Sequence, residues 1–194
     1  AVCAIDIDGG SDPFTLNSGS INMAAAEYNF SVAEDLTFGA AQSFPIASGK
    51  TLTLSGALTN GANNMTVTGA GNMVVSGILG NGAGNITMNG SGALTLSAAN
   101  TFTGGVTLNA GTININNASA LGTTAGTFTI GGASTIDNTS GGAITMSNYP
   151  QTWNASFSFT GTDALNMGTG AVSLGVSPTV TVDASTLTVG GIIS

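Results

Sequence analysis

The sequence predicts an all-β fold, a β-solenoid of about nine to ten coils stacked into a rod. Two observations indicate it. Short apolar-polar-apolar triplets recur along the chain, and their period of about 20 residues, with short strands in each repeat, is typical of solenoids. Half of the 194 residues are also small and polar: 30 Gly, 28 Thr, 20 Ser and 19 Asn.

The triplets predict the strands. Typical members are Leu52-Thr53-Leu54, Ile86-Thr87-Met88 and Val106-Thr107-Leu108. Alternation with a period of two residues indicates half-buried strands, with the apolar side chains inward and Thr outward. Thr also favours the extended backbone and tolerates contact with water on the outer face.

The segments between the triplets predict the corners. They are rich in Gly, Ser, Asn and Ala. Gly suits corners that need a positive φ or a close approach of two backbones, while Asn tolerates left-handed backbone and can stack into ladders. A β-sandwich is the alternative fold, because turns every 8–12 residues would suit it as well. The longer period of the triplets favours a solenoid, which at ~4.8 Å per coil would be about 45 Å long.

Charged residues are scarce and exclude several functions. The chain has nine acids, one cation (Lys50) and no His, for a net charge of −8. Without His there is no Ser-His-Asp triad and no histidine-ligated zinc site. One cation cannot neutralise a run of phosphates, so no nucleic-acid partner is expected. No apolar run approaches the ~18 residues of a membrane span, so no membrane insertion is expected either.

Residues 90–113 carry a resemblance to a known family. They read GSGALTLSAANTFTGGVTLNAGTI, and residues 116–122 continue with NNASALG. This stretch resembles the autotransporter-associated β-strand repeat, whose pattern is GSGTLTLSGANTYTGGTTVNAGTL, and the similarity extends over roughly residues 64–194. The resemblance implies a right-handed parallel β-helix on the outside of a bacterium. It implies no catalysis, since the matching residues occupy strand and corner positions.

The first 50 residues differ in composition from the rest. Six of the nine acids lie within the first 35 residues, and the aromatic residues Phe14, Tyr28, Phe30, Phe38 and Phe44 also gather in this segment. A distinct end of a solenoid is typically a cap. We therefore expect residues 1–50 to form acidic, aromatic-containing coils that act as a cap or inter-subunit flap, and residues 51–194 to form the β-helix repeat region.

Three carboxylates near the N-terminus form a candidate calcium site. Asp6, Asp8 and Asp12 surround a Gly-Gly corner, and calcium prefers several oxygen ligands on a flexible loop. The alternative is a solvated acidic terminus, since the complete spacing of an EF-hand loop is missing. No other cofactor is expected.

An enzyme of the polysaccharide lyase or glycosidase type is the catalytic alternative. Glycoside hydrolysis needs two carboxylates that face each other across a cleft. The repeat region offers only Asp137, Asp163 and Asp183, at differing positions of the coil pattern and with no Arg or Lys nearby. We therefore expect that the protein is not an enzyme.

The leading hypothesis is a secreted structural protein that polymerises head to tail into an extracellular fibre. The end of a β-helix exposes unpaired backbone groups and an apolar cross-section, which can template another strand. Residues 75–80 resemble residues 189–194, so we expect either that the chain is a fragment or that its last coil accepts another molecule. The predicted subunit interface consists of Cys3, Ile5, Ile7, Val189, Ile192 and Ile193.

The second hypothesis is a passenger fragment of an autotransporter-like adhesin that acts as a rigid spacer at the cell surface. The low charge of the chain favours carbohydrate or apolar surfaces over partners steered by charge. Both hypotheses place the protein outside the cell or on the bacterial surface. The expected partners are further copies of the chain itself under the first hypothesis, and carbohydrate or cell surfaces under the second.

Overall fold

A computed structural model describes residues 13–17, 20–80 and 82–194. These residues form 22 short β-strands and no helix. In chain order the strands are β1 (Phe14–Leu16), β2 (Phe30–Val32), β3 (Leu36–Phe38), β4 (Gln42–Ile46), β5 (Thr51–Leu54), β6 (Leu58–Thr59), β7 (Met65–Gly69), β8 (Asn72–Val75), β9 (Leu79–Gly80), β10 (Ile86–Met88), β11 (Ala93–Leu96), β12 (Val106–Leu108), β13 (Thr112–Ile115), β14 (Phe128–Ile130), β15 (Ser134–Asp137), β16 (Ile144–Thr145), β17 (Gln151–Trp153), β18 (Phe157–Phe159), β19 (Leu165–Asn166), β20 (Val172–Leu174), β21 (Val180–Val182) and β22 (Leu187–Thr188).

The strands stack into three faces of a parallel β-solenoid. The seven-stranded face holds β4, β7, β10, β12, β14, β17 and β20, and the eight-stranded face holds β2, β5, β8, β11, β13, β15, β18 and β21. The third face is split into β1, β3, β6 and β9 at one end and β16, β19 and β22 at the other. Successive turns place their strands in parallel on the same faces, so the predicted all-β solenoid is confirmed. The right-handed winding implied by the resemblance stays a prediction.

The described residues make about eight turns, fewer than the nine to ten expected. The turns vary in length because the corners absorb insertions. Leu94 pairs with Ile113 and Ile113 pairs with Ile136, so the second of these two turns is the longer one. Several turns therefore use more residues than the period of the triplets predicts, and residues 1–12 lie outside the described part of the chain. Eight turns at ~4.8 Å give a rod about 38 Å long.

The core is a set of apolar columns that run along the rod. On the seven-stranded face, Met65, Ile86, Val106 and Phe128 lie directly above one another and are at most 1% exposed. The Thr that follows each of them points outward and is half-buried. Since burying one such apolar side chain contributes about 1.5–3 kcal/mol, these columns account for much of the driving force for folding.

Asn residues link successive turns through their side chains. The Oδ1 atom of Asn64 accepts a hydrogen bond from the backbone N–H of Asn85 at 3.1 Å, and Asn72 does the same for Ala93 at 2.9 Å. Asn tolerates left-handed backbone, but none of the described Asn residues adopts it: Ser185 is the only described residue other than Gly with a positive φ. The side-chain amide of Asn can accept a hydrogen bond across a corner while the backbone of the same residue keeps a negative φ.

The first turns join the same faces as the later ones. Strand β2 pairs in parallel with β5, and β4 pairs with β7. The rings of Phe38 and Phe44 pack at a centroid distance of 6.0 Å inside these turns. The predicted division of the chain at residue 50 stays a prediction. Within the described residues there is no helix with the length and apolar character needed to cross a membrane.

Candidate functional site

Several predicted site residues lie outside the described residues. These are Cys3, Ile5 and Ile7 of the predicted interface and Asp6, Asp8 and Asp12 of the predicted calcium site. The structure therefore leaves the calcium site and the N-terminal half of the interface as predictions. In the described part of the chain, no group of three or more Cys, Asp or Glu side chains could hold a metal ion.

The other predicted interface residues lie together on the last turn. Ile193 forms a parallel bridge with Val172 of β20, and the Val172 N–H donates to the Ile192 carbonyl at 2.8 Å. Val189 packs partly buried against the core, whereas Ile192 is 81% exposed and Ile193 is 51% exposed. The structure thus brings Val189, Ile192 and Ile193 to one end of the rod.

The last turn leaves the end of the apolar core open. Ile136, Phe159 and Val182 occupy one column, and while the first two are fully buried, Val182 is 46% exposed. In a neighbouring column Leu165 is buried and Leu187 is half-buried. The side chains on this turn are apolar, like the buried ones below them. They are exposed because no described turn packs above them.

The backbone at this end is also incompletely paired among the described strands. β21 pairs with β18 and β22 pairs with β19, each on one side only. An unpaired strand edge is a template for a further strand. The open core and the strand edge together form the candidate site, which we call the open end (Val180, Val182 and residues 187–189 and 191–194).

Two acids of the repeat region, Asp137 and Asp163, accept hydrogen bonds from neighbouring backbone groups. Asp137 is buried, and its carboxylate accepts hydrogen bonds from the Thr162 hydroxyl at 2.6 Å and from the N–H groups of Thr162 and Asn138 at 2.9 Å. Asp163 accepts a hydrogen bond from the Gly141 N–H at 2.8 Å, and Asp183 is exposed at the open end. Asp137 and Asp163 therefore each hold a backbone segment in place, and the expected lack of enzyme activity stays a prediction.

A groove crosses the outer side of the eight-stranded face. Its volume is about 490 Å³, and hydroxyl-bearing side chains from five successive turns line it: Ser91, Thr112, Thr135, Ser158 and Thr181. None of its lining residues is charged. The sequence reasoning missed this groove, although aligning the turns places Thr112, Thr135, Ser158 and Thr181 in one column.

Comparison with known families identifies one repeat. Residues 86–115 match the family described as the passenger-associated-transport-repeat. The match begins at the first residue of β10 and ends at the last residue of β13, so it covers about one and a half turns. It confirms the resemblance to the autotransporter-associated repeat over this part of the chain. No curated protein and no solved structure matches the chain significantly.

Proposed function

We propose that this chain, a β-solenoid with a passenger-associated transport repeat, is a structural segment of a secreted or surface protein that assembles head to tail into a fibre. The open end is the observation that supports assembly. There Val182 and Ile193 expose apolar surface in columns that are buried in the preceding turns, and Ile192 beside them is 81% exposed. In this proposal the chain needs no cofactor and carries out no catalysis.

A second copy of the chain offers a matching cross-section. The first described turns also expose apolar side chains, with Phe14 41% and Tyr28 48% exposed, while Ile21 and Phe30 pack partly buried against the core. A turn of the same three-faced shape would continue the strand pairing of the open end at ~4.8 Å. Because the two contacting surfaces differ, each addition leaves a new open end, and assembly proceeds without closing.

The negative charges at both ends of the rod oppose assembly at low ionic strength. The first turns carry the exposed acids Glu27, Glu34 and Asp35, and the open end carries Asp183. Like charges at both ends repel each other when two copies approach, and salt screens this repulsion within a Debye length of about 8–10 Å. We therefore expect fibres to lengthen as salt is raised from low to physiological concentration.

Electron microscopy and light scattering of the purified chain over a range of concentration and salt test the proposal. We expect fibres whose mass grows with concentration. Val182→Lys should abolish them, because a lysine in an apolar column opposes stacking of the next turn. Thr181→Lys is the matched control: this neighbouring residue points to the outer side of the same strand, so its fibres should persist.

Two outcomes would contradict the fibre. One is a monodisperse rod at every concentration and salt level. The other is an equal effect of Val182→Lys and Thr181→Lys while circular dichroism shows both variants folded, since assembly would then not depend on the open end.

The second candidate function is a rigid spacer or adhesion module, as in the passenger part of an autotransporter-like adhesin. The groove on the eight-stranded face supports the adhesion module, because a stem that acts only as a spacer needs no concave surface. Under this function the chain stays a short rod in the experiment above, and binding depends on its outer faces.

A further inference from the structure

We propose that the groove on the eight-stranded face binds a neutral, unbranched polysaccharide that lies along the axis of the rod. This inference does not depend on fibre assembly, since most of the groove lies along the side of the rod and only Thr179 and Thr181 of its lining belong to the last turn. It identifies a binding surface and the chemical class of its ligand.

The groove has the length and regularity of a site for an extended polymer. Thr112, Thr135, Ser158 and Thr181 lie in direct register on four successive strands. With Ser91 the lining spans five turns, which at ~4.8 Å per turn is about 19 Å. The hydroxyl groups therefore repeat at an even spacing along the rod, as the sugar rings of an extended chain do.

The corner beside this column consists of small residues. On that side the groove is lined by Gly111, Ala133 and Ser156, whose small side chains leave it accessible. Ser156 is also held in place, because its Oγ accepts a hydrogen bond from the Thr179 N–H of the next turn at 2.9 Å. The groove thus lies on a corner that strand pairing and side-chain hydrogen bonds keep rigid, which lowers the entropic cost of binding.

The lining chemistry selects a neutral ligand with many hydroxyl groups. Each Ser or Thr hydroxyl both donates and accepts hydrogen bonds, as a sugar hydroxyl does. Thr112, Thr135 and Ser158 are half-buried, so they present their hydroxyls on a surface that is already partly dehydrated.

Other ligand classes fit the groove less well. An anionic polymer would find no positive charge in the lining, and an apolar ligand would find only the small side chain of Ala133 and that of Phe157, which is 3% exposed. A peptide that binds by adding a strand needs a free sheet edge. Of the paired strands in the lining, β13, β15 and β18 have a partner on both sides, and only β21, on the last turn, has a free edge.

Affinity electrophoresis through gels that contain hydroxyethyl cellulose, mixed-linkage β-glucan or pullulan tests the proposal, with polygalacturonate as the anionic comparison. We expect retardation by at least one neutral polymer and none by polygalacturonate. Thr135→Gln and Ser158→Gln fill the groove, and each should weaken binding about tenfold. Thr129→Gln is the matched control, because Thr129 occupies the same outward position on the seven-stranded face; its affinity should be unchanged.

The proposal fails if none of the three neutral polymers retards the protein. It also fails if Thr129→Gln weakens binding as much as Thr135→Gln, or if polygalacturonate binds as well as the neutral polymers. Circular dichroism confirms that each variant is folded. Light scattering on the same samples reports the assembly state, so failure of the groove and failure of the fibre are distinguishable.

Discussion

At the scale of single residues, glycines set how closely successive turns approach each other. Gly77 lies against the carbonyl oxygen of Gly56 in the preceding turn, and Gly56 in turn lies against the carbonyl of Glu34. A Cβ atom at either glycine would overlap backbone, which cannot move aside as a flexible side chain can. These glycines are therefore required by packing between turns, independently of their φ angles.

Gly77→Ala should lower the free energy of unfolding by about 1–3 kcal/mol, the usual cost of overpacking. The physical reason is that the two turns must separate or tilt to accommodate the new methyl group. Gly142→Ala is the control, since a Cβ at Gly142 meets no atom within 4 Å. Urea denaturation of both variants measures the difference, and equal stabilities would show that Gly77 is not packed as described.

Tyr149 makes the stability of the folded protein depend on pH in the alkaline range. Its side chain is buried, and its hydroxyl donates a hydrogen bond to the Gly122 carbonyl at 2.9 Å. Burial raises the pKa of Tyr149 above its ordinary value of 10.0, and hydrogen bonds to neighbouring groups offset only part of that rise. The folded state therefore holds this proton more tightly than the unfolded state does.

The contribution of Tyr149 to stability is fully present below the unfolded pKa of about 10 and is lost as pH rises through the folded pKa. We expect the free energy of unfolding to fall more steeply above pH 10 in the native protein than in Tyr149→Phe. Urea denaturation at intervals from pH 8 to pH 11 measures the two slopes. Tyr28 is present in both proteins and serves as the internal control, so parallel slopes would refute the assignment to Tyr149.

At the scale of elements, side-chain hydrogen bonds connect successive turns on the part of the third face that has no strands. β9 is followed on this face by β16, and residues 100–102 and 118–123 cross the gap without forming strands. Asn100 is buried there and accepts a hydrogen bond from the Leu79 N–H at 2.8 Å. Its amide also donates to the Ala120 carbonyl at 2.7 Å, so one side chain connects three turns.

Asn100→Leu should lower the free energy of unfolding by about 3 kcal/mol, because it leaves one buried N–H and one buried carbonyl without these partners at about 1–3 kcal/mol each. The exposed Asn154 provides the control: Asn154→Leu should change stability by less than about 0.5 kcal/mol. Thermal or urea denaturation compares the variants. A loss no larger for Asn100→Leu than for Asn154→Leu would mean that the bridge contributes little.

At the scale of the whole molecule, the rod is a one-dimensional stack in which stability and assembly have the same origin. Interior turns contact a neighbour on each side, whereas the last described turn contacts only one. The stability of a solenoid is approximately a sum of contributions from the repeats and from the interfaces between them. A further turn stacked on the open end would therefore add the stabilising free energy of one more interface. Because Val182→Lys disrupts that interface, it is the decisive variant for the proposed fibre.

The two candidate activities depend on different side chains, although the groove reaches the last turn through Thr179 and Thr181. The open end lies on the axis, while the groove runs along one side across five turns. Substitutions at Val182 and at Thr135 can therefore be interpreted independently, as residues in separate parts of a structure usually behave additively.

Local alternation was sufficient to predict the strands and the inward residues. Leu52 and Leu54, like Ile86 and Met88, are buried as the triplets predict, and the Thr between them is half-buried. This succeeded because the two-residue period of a strand is a property of the backbone, which requires no knowledge of neighbouring turns. The repeat in residues 86–115 could be identified from the sequence for a different reason, because residues 90–113 resemble the pattern of a known family.

The sequence by itself determined the fold class, the orientation of the strand residues and the outward position of Thr. Only the tertiary structure decided the number of turns, the role of Asn100 in bridging three of them and the alignment of Thr112, Thr135, Ser158 and Thr181 into a groove. The register between turns depends on how much chain each corner absorbs, and this differs from one turn to the next. Corner length is set by packing between turns and not by local propensity, so these features appear only once the turns are stacked.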